Sequence, residues 1–336
     1  MLGIIKSPIT ELRPAPVQRN EEMYMETMKA VRVHEYGGPE VLKYEDAPRP
    51  QAGPGEVLIR VHAASVNPVD WKVRNGELRQ MLRYKLPMIP GWDVSGVIEA
   101  VGPQAMRLKR GDAVYSRPDL SRDGTYADYV TVKESEVALK PKSIDHSTAA
   151  AIPLAALTAW QALYDGCKLS SGQTLLIHGA AGGVGTFAVQ LAKMRGARVI
   201  ATASKKNHDF LRSLGADEII DYNTTKFEDV VHGVDAILDT ITGETMERSW
   251  PVLKKGGILV SILQPPSPEK AAAHGVRCHH TFVQANVEQL NEIAKLVDAG
   301  KLKVIIEKVY PLAEARAAQE SNATGHTRGK IVLRVV

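Results

Sequence analysis

The sequence predicts a two-domain α/β protein, a compact β-barrel domain joined to a doubly wound parallel sheet, and three observations carry that expectation. Within 174–193 a short apolar run, Leu175, Leu176 and Ile177, leads into H-G-A-A-G-G-V-G at 178–185 and then into residues with helical apolar spacing. Between 174 and 284 strand-like apolar runs alternate with helical patterns, the texture of βαβ units. Between 29 and 140 the chain instead alternates apolar and polar residues in many short runs punctuated by Gly and Pro, the texture of a small barrel.

Taken in order, strands are expected at 29–35, 41–45, 56–63, 93–101, 113–116, 126–132 and 137–140, the third introduced by the turn Gly53-Pro54-Gly55. Near Ser147 the texture changes to A-A-A-I-P-L-A-A-L-T-A-W-Q-A-L, whose spacing is helical. Six further strands follow at 174–179, 198–203, 218–221, 234–240, 257–263 and about 279–284, with helices at 183–196, 205–214, 224–232 and 243–254, as a full dinucleotide-binding sheet requires. Helices at 287–299, ended by Gly300, and at 312–321 precede a last strand at 330–335, expected to pair back onto the barrel. The expected division is 28–152 with 286–336 for the barrel and 153–285 for the cofactor domain.

Length and composition narrow the function. The 336 residues exceed one small core, and 44% hydrophobic with 24% charged residues is ordinary globular composition. No apolar run approaches the roughly 20 residues that span a bilayer, so no membrane association is expected. Forty-two basic against 38 acidic residues leave a net charge of +4, a small excess that argues against nucleic acid and suits an anionic cofactor. Cys167 and Cys278 stand far apart with no C-x-x-C, which argues against a disulfide framework or cysteine zinc site and for a reducing cytoplasm. Residues 1–27 carry Pro8, Pro14 and Pro16 and no apolar signal core; a loose extension is expected, or a start at Met23, Met25 or Met28.

The glycine turn carries the chemistry. A strand–turn–helix leaves backbone N–H groups unpaired at a helix N-terminus, where they and the helix dipole favour a pyrophosphate, and a Cβ there would hold the phosphates off. Gly179-x-x-Gly182-x-x-Gly185, with Gly183, departs from the strict G-x-G-x-x-G, so a turn without a ligand is the bland alternative. The cofactor reading assigns the phosphates to Ala180, Ala181, Gly182, Gly183, Val184 and Gly185. At the end of the second strand, where an NAD site places an acid, the chain has Ala203, Ser204, Lys205 and Lys206. A hydroxyl and two ammonium groups receive a 2′-phosphate and favour NADPH; the alternative is a solvated helix start. The ten histidines show no ligand spacing, and no G-x-S-x-G nucleophile signature is present.

Several motifs in order add a resemblance: M-K-A-V-R-V-H-E-Y-G-G-P-E-V-L at 28–42, P-G-E-V-L-I-R-V at 54–61, S-V-N-P-V-D at 65–70, P-G-W-D-V-S-G-V-I-E-A-V-G at 90–102, G-D-A-V-Y at 111–115 and H-T-R-G-K-I-V-L at 326–333. Over 28–336 the chain resembles the medium-chain dehydrogenase/reductase superfamily and, within it, the zinc-lacking quinone and enone oxidoreductases. The resemblance implies a GroES-like β-barrel catalytic domain and a Rossmann cofactor domain. It places Asn67, Trp92 and Leu154 where zinc alcohol dehydrogenases hold their metal; indole and isobutyl groups do not ligate zinc and an amide does so poorly, so no metal is expected. No cysteine stands at 103–130 to form a structural zinc lobe. It further implies that Tyr222 touches the 2′-phosphate, that Thr158 lies near the nicotinamide, that Ser261, Ile262, Leu263, Phe282 and Val283 line it through their backbones, and that Lys330 approaches the cofactor. It implies a homodimer through the sixth Rossmann strand.

With NADPH and no metal, the expected substrate is a small hydrophobic quinone or α,β-unsaturated carbonyl, because the enolate or hydroquinone anion left by hydride addition is stabilised by hydrogen-bond donors alone. Asn67 is the expected donor, or Asn67-Pro68 simply makes a turn; Trp92 donates through its indole or forms an apolar wall. The proton source stays open between Lys72, Tyr84, a cofactor ribose hydroxyl and water. An enoyl-thioester reductase of the same fold and a non-catalytic nicotinamide-binding sensor are the competing readings.

Overall fold

The structure is a computed structural model and describes residues 26–336, so all but the last two residues of the expected extension, with Met23 and Met25, lie outside the described residues. Strand β1 (Thr27–Val33) pairs antiparallel with β2 (Leu42–Pro48). The second strand begins after a 3₁₀ turn at Pro39–Val41, where Pro39 presets the backbone. Val31 and Val33 donate backbone hydrogen bonds to Tyr126 and Met88, at 2.8 and 2.9 Å, and so fasten this hairpin onto the barrel.

The barrel is built on β3 (Glu56–Val66), followed by α1 (Pro68–Arg74), β4 (Val94–Val101), β5 (Ala113–Ser116), β6 (Tyr129–Lys133) and β7 (Val137–Leu139). Strand β3 is antiparallel to both β4 and β6. Alternation puts Val57, Ile59, Val61, Val94, Ile98, Val114, Val130 and Val132 into one buried cluster. Asn67 and Pro68 do more than turn the chain. Asp70 closes the start of α1 by accepting from the Asn67 backbone N–H at 2.7 Å, and Pro68 takes the first helical position, where a missing N–H costs nothing.

Helices α2 (His146–Ala150) and α3 (Pro153–Trp160) lead into the Rossmann sheet. Its elements are β8 (Thr174–Ile177), α4 (Gly183–Met194), β9 (Arg198–Thr202), α5 (His208–Ser213), β10 (Glu218–Ile220), β11 (Val234–Asp239), α6 (Glu244–Ser249), β12 (Leu253–Ser261), α7 (Pro268–Ala273) and β13 (Arg277–His280). The strand order is β10-β9-β8-β11-β12-β13, every pair parallel. The helix expected over 224–232 is only a 3₁₀ turn at Phe227–Asp229; Thr224, Thr225, Val230 and Val231 are β-branched and Gly233 ends the stretch. The helix expected over 243–254 stops because Pro251 follows α6, and β12 starts at Leu253, four residues early.

The chain then returns to the barrel through α8 (Val287–Asp298), β14 (Ile306–Pro311), α9 (Ala315–Ala323) and β15 (Lys330–Arg334). As expected, β15 pairs antiparallel with β3, while β14 lies parallel outside it. Leu290, Ile293 and Val297 of α8 join the main core with Leu175, Ile177 and Phe187, and Tyr115 of the barrel belongs to the same cluster. The Tyr115 hydroxyl donates to the Leu290 carbonyl at 2.6 Å, so barrel and Rossmann sheet share one interior.

Candidate active site

The strand order reverses between β8 and β11, and a crevice at such a reversal is where open α/β sheets hold ligands. The glycine turn sits there. Gly179 has φ +67°, which lets the chain double back, and its carbonyl accepts from Gly182 at 3.1 Å. A Cβ on Gly185 would stand 2.5 Å from the Gly179 carbonyl oxygen, so the first turn of α4 is pressed against the strand end. The N–H groups opening α4 have no partner within the helix and face a cavity of about 720 Å³. The barrel supplies the opposite wall, and Gly329 N–H donates across to Ala181 at 2.8 Å.

Of the expected cofactor residues, Thr158, Ala181, Gly182, Gly183, Val184, Gly185, Ser204, Tyr222, Ile262, Leu263, Phe282, Val283 and Lys330 border this cavity. Ala180 does not, because its side chain is wholly buried in the main core. Ser261 is likewise buried, with its hydroxyl accepting from Leu263 N–H at 3.4 Å. Lys205 does not border the cavity, whereas Lys206 does. Arg328 braces that corner: its guanidinium donates to Asn207 Oδ1 at 2.9 Å and to the Lys206 carbonyl at 3.4 Å.

The barrel side departs further from expectation. Asn67 borders the cavity, but its amide is committed: Nδ2 donates to Asp93 Oδ2 at 2.7 Å and Oδ1 accepts from Lys330 Nζ. Lys330 lays its stem beside Gly183, while its ammonium turns into the barrel and donates also to the Val66 carbonyl at 3.2 Å. Burial pushes the Lys330 ammonium down, and Asp93 and Asp70 hold it up. Its charge is spent below the cavity floor. A metal ion beside Asn67 would meet that ammonium, and among the described residues no three His, Cys, Asp or Glu side chains could hold one. Asp70 accepts from Asn67 N–H at 2.7 Å and from the Tyr126 hydroxyl at 2.8 Å. Burial pushes its carboxyl up to about 7 despite those bonds.

Trp92 is wholly buried and does not border the cavity, and its indole donates to the Arg122 carbonyl at 3.4 Å; it is neither donor nor wall but packs behind the lining with Met88 and Leu120. Tyr84 gives its hydroxyl to the Leu120 carbonyl. Lys72 does border the cavity, with Nζ 5.6 Å from the Trp71 ring centroid. His178 is buried and held between Thr202 and Ser249 hydroxyls at 3.2 and 3.0 Å, with burial pushing its pKa down to about 3. Sequence reasoning missed Arg117, which also borders the cavity and is 4% exposed. Only its place just past the strand 113–116 could have signalled it.

Comparison with known proteins bears on what this arrangement is. Residues 53–142 match a family model described as an alcohol dehydrogenase GroES-like domain, and 214–333 match one described as a zinc-binding dehydrogenase. The chain is 37% identical to the mitochondrial NAD(P)H oxidoreductase RTN4IP1 of Mus musculus, over 92% of this chain and 89% of that protein. It is 36% identical to the chloroplastic NADPH-dependent alkenal/one oxidoreductase of Arabidopsis thaliana, over 91% of this chain and 79% of that one. The solved quinone oxidoreductase of Coxiella burnetii superposes with a TM-score of 0.88 at 37% identity, covering 93% of this chain and all of that one. Likeness of this extent to such relatives, together with an asparagine, a tryptophan and a leucine at the zinc positions, means that the chain belongs to the medium-chain dehydrogenase/reductase superfamily, in its zinc-lacking quinone and enone oxidoreductase group.

Proposed function

We infer that this protein is an NADPH-dependent reductase of quinones and α,β-unsaturated ketones that works without a metal. The observation that carries the reading is the crevice itself, a glycine turn at a topological switch point facing an apolar barrel wall across a cavity of about 720 Å³. The names of the related NADPH-dependent alkenal/one and quinone oxidoreductases support it.

In this reading the N–H groups of 182–185 receive the pyrophosphate, which the dipole of the 12-residue helix α4 also favours. Ser204, Lys206 and Tyr222 receive the 2′-phosphate, with Arg328 holding that corner in place. Thr158, Ile262, Leu263, Phe282 and Val283 form the nicotinamide end; the Thr158 hydroxyl is tied to the Leu154 carbonyl at 2.6 Å, so its methyl and stem provide the contact. The bound dihydronicotinamide supplies hydride. Leu120 and Leu154 exclude water from the site of transfer, which raises the effective strength of any donor aimed at the substrate oxygen. Lys72 stands on the wall as a proton source in exchange with solvent.

Among the described residues no carboxylate lines the cavity at the 2′ corner, so NADPH should bind about 10–100-fold more tightly than NADH, and Lys206→Glu should erase the preference. Titration of cofactor fluorescence measures both; equal affinity for the two cofactors in the wild type would refute the assignment. A homodimer through the edge of β13 and a reducing, cytoplasmic setting complete the reading, the latter supported by the unpaired Cys167 and Cys278. Among the described residues no helix is long and apolar enough to cross a membrane.

A further inference from the structure

Arg117 follows β5 and reaches across the cleft to the far wall. Its Nη2 donates to the Val283 carbonyl at 3.2 Å, beyond the end of β13. It is 4% exposed, and its Nε is buried without a partner. The acids whose fields reach it are Asp93, Asp119 and Glu136. Each is committed elsewhere: Asp93 to Ser65, Asn67 and the Leu154 N–H, Asp119 and Glu136 to Lys133. Two more atoms on this wall, His280 Nε2 and Thr281 Oγ1, are buried and unpartnered as well.

A guanidinium has five N–H donors and keeps its charge, so burying it with one bond to a carbonyl and an unpartnered Nε leaves its desolvation uncompensated. A structural arginine meets that cost with a carboxylate or several carbonyls. This one borders the cavity beside the residues assigned to the nicotinamide, and the cavity is where an oxygen could meet it.

We propose that Arg117 holds the carbonyl oxygen of the substrate and stabilises the oxyanion that forms there. The inference rests on the reductase reading above. A bound dihydronicotinamide would supply hydride, its C4–H bond breaking as a C–H bond forms at the β-carbon of an enone; the C=C π pair moves into the bond to the carbonyl carbon and the C=O π pair settles on oxygen. The enolate, held by Arg117, then takes at its α-carbon a proton that Lys72 passes on from solvent, so that enone, NADPH and H⁺ become saturated ketone and NADP⁺. For a quinone the same charge develops on the ring oxygen. Arg117 thus takes over at the oxygen the role a metal ion plays in zinc dehydrogenases, and it selects flat conjugated carbonyls whose oxygen reaches the mouth of β5.

The test uses the full chain with Arg117→Ala and Arg117→Lys. With a small enone, kcat/KM should fall about 10²–10³-fold in Arg117→Ala, while NADPH affinity by fluorescence stays at the wild-type value. Guanidinium ion added to Arg117→Ala should restore part of kcat, which a role in folding alone would not allow. A nitrophenol bound to wild-type protein with NADP⁺ should take its coloured anionic form at a pH where the free compound is mostly neutral, and Arg117→Lys should weaken that shift. This readout needs no turnover and stands even if Arg117→Ala fails to fold. Variants with wild-type kcat/KM, or the same phenol ionisation with and without the guanidinium, would overturn the role of Arg117 and leave the reductase reading intact. A wild-type protein that oxidises NADPH with no enone or quinone would overturn the reading itself.

Discussion

Asp70 shows most directly how the barrel side of the cleft is held together. One carboxylate oxygen takes bonds from Asn67 N–H and Tyr126, and the other is buried with no partner, an arrangement suited to a carboxyl that keeps its proton. Its folded pKa of about 7 lies above the ordinary 3.8, so its contribution to stability is full below the unfolded value and declines as pH rises to about 7. Asp70→Asn removes that dependence. Thermal unfolding should therefore show the variant gaining stability relative to the wild type as pH rises from about 4 to 7, by on the order of a few kcal/mol. Parallel curves would show that the carboxyl does not titrate there. This network was hidden from sequence. Asn67 could be singled out by its motif, but the groups that occupy its amide stand 26 and 263 positions away, and no local pattern carries such contacts. The same distance hid Arg117, whose bond to Val283 spans 166 positions.

Elements were legible in proportion to their regularity. The strand 113–116 and the start of α4 fall where alternation and the glycine turn put them. Missed elements are short or poorly patterned: α7 has six residues and one buried side chain, and β14 reads I-E-K-V-Y-P with little buried. The turn before α4 separates two kinds of glycine. A Cβ at Gly182 meets only the Gly179 oxygen at 3.4 Å, whereas at Gly185 it would lie 2.5 Å from that oxygen and 2.6 Å from the backbone of Ala180. Gly185→Ala should therefore destabilise the fold by about 1–3 kcal/mol, seen as a lower Tm. Gly182→Ala should keep Tm within a few degrees but weaken NADPH binding about tenfold or more, because its methyl stands where the phosphates approach the backbone. Loss of stability in both, with no separate effect on the cofactor, would remove the distinction.

On the scale of the molecule, the two architectures and their order along the chain were readable, because each has its own period; the cleft between them was not, because its walls come from segments far apart. The sixth strand leaves one free edge. Thr281 N–H turns inward to Ser261 at 2.9 Å, and alternation therefore turns the backbone N–H groups of Cys278 and His280 toward the open edge. An open edge of this kind offers its row of N–H and C=O groups to a second copy, as the proposed homodimer requires. The native mass should be twice the 36.6 kDa chain mass, and Cys278→Pro, which removes one outward N–H, should shift it to a monomer without loss of secondary structure. Light scattering decides; a monomeric wild type would refute the pairing.

The bond from Gly329 to Ala181 ties the two architectures into one mechanical body. The residue after it opens β15, which completes the barrel sheet beside β3, so the segment that closes the barrel also grips the turn that opens α4. A displacement of that strand is transmitted to the phosphate turn, and a load on the turn stiffens the strand in return.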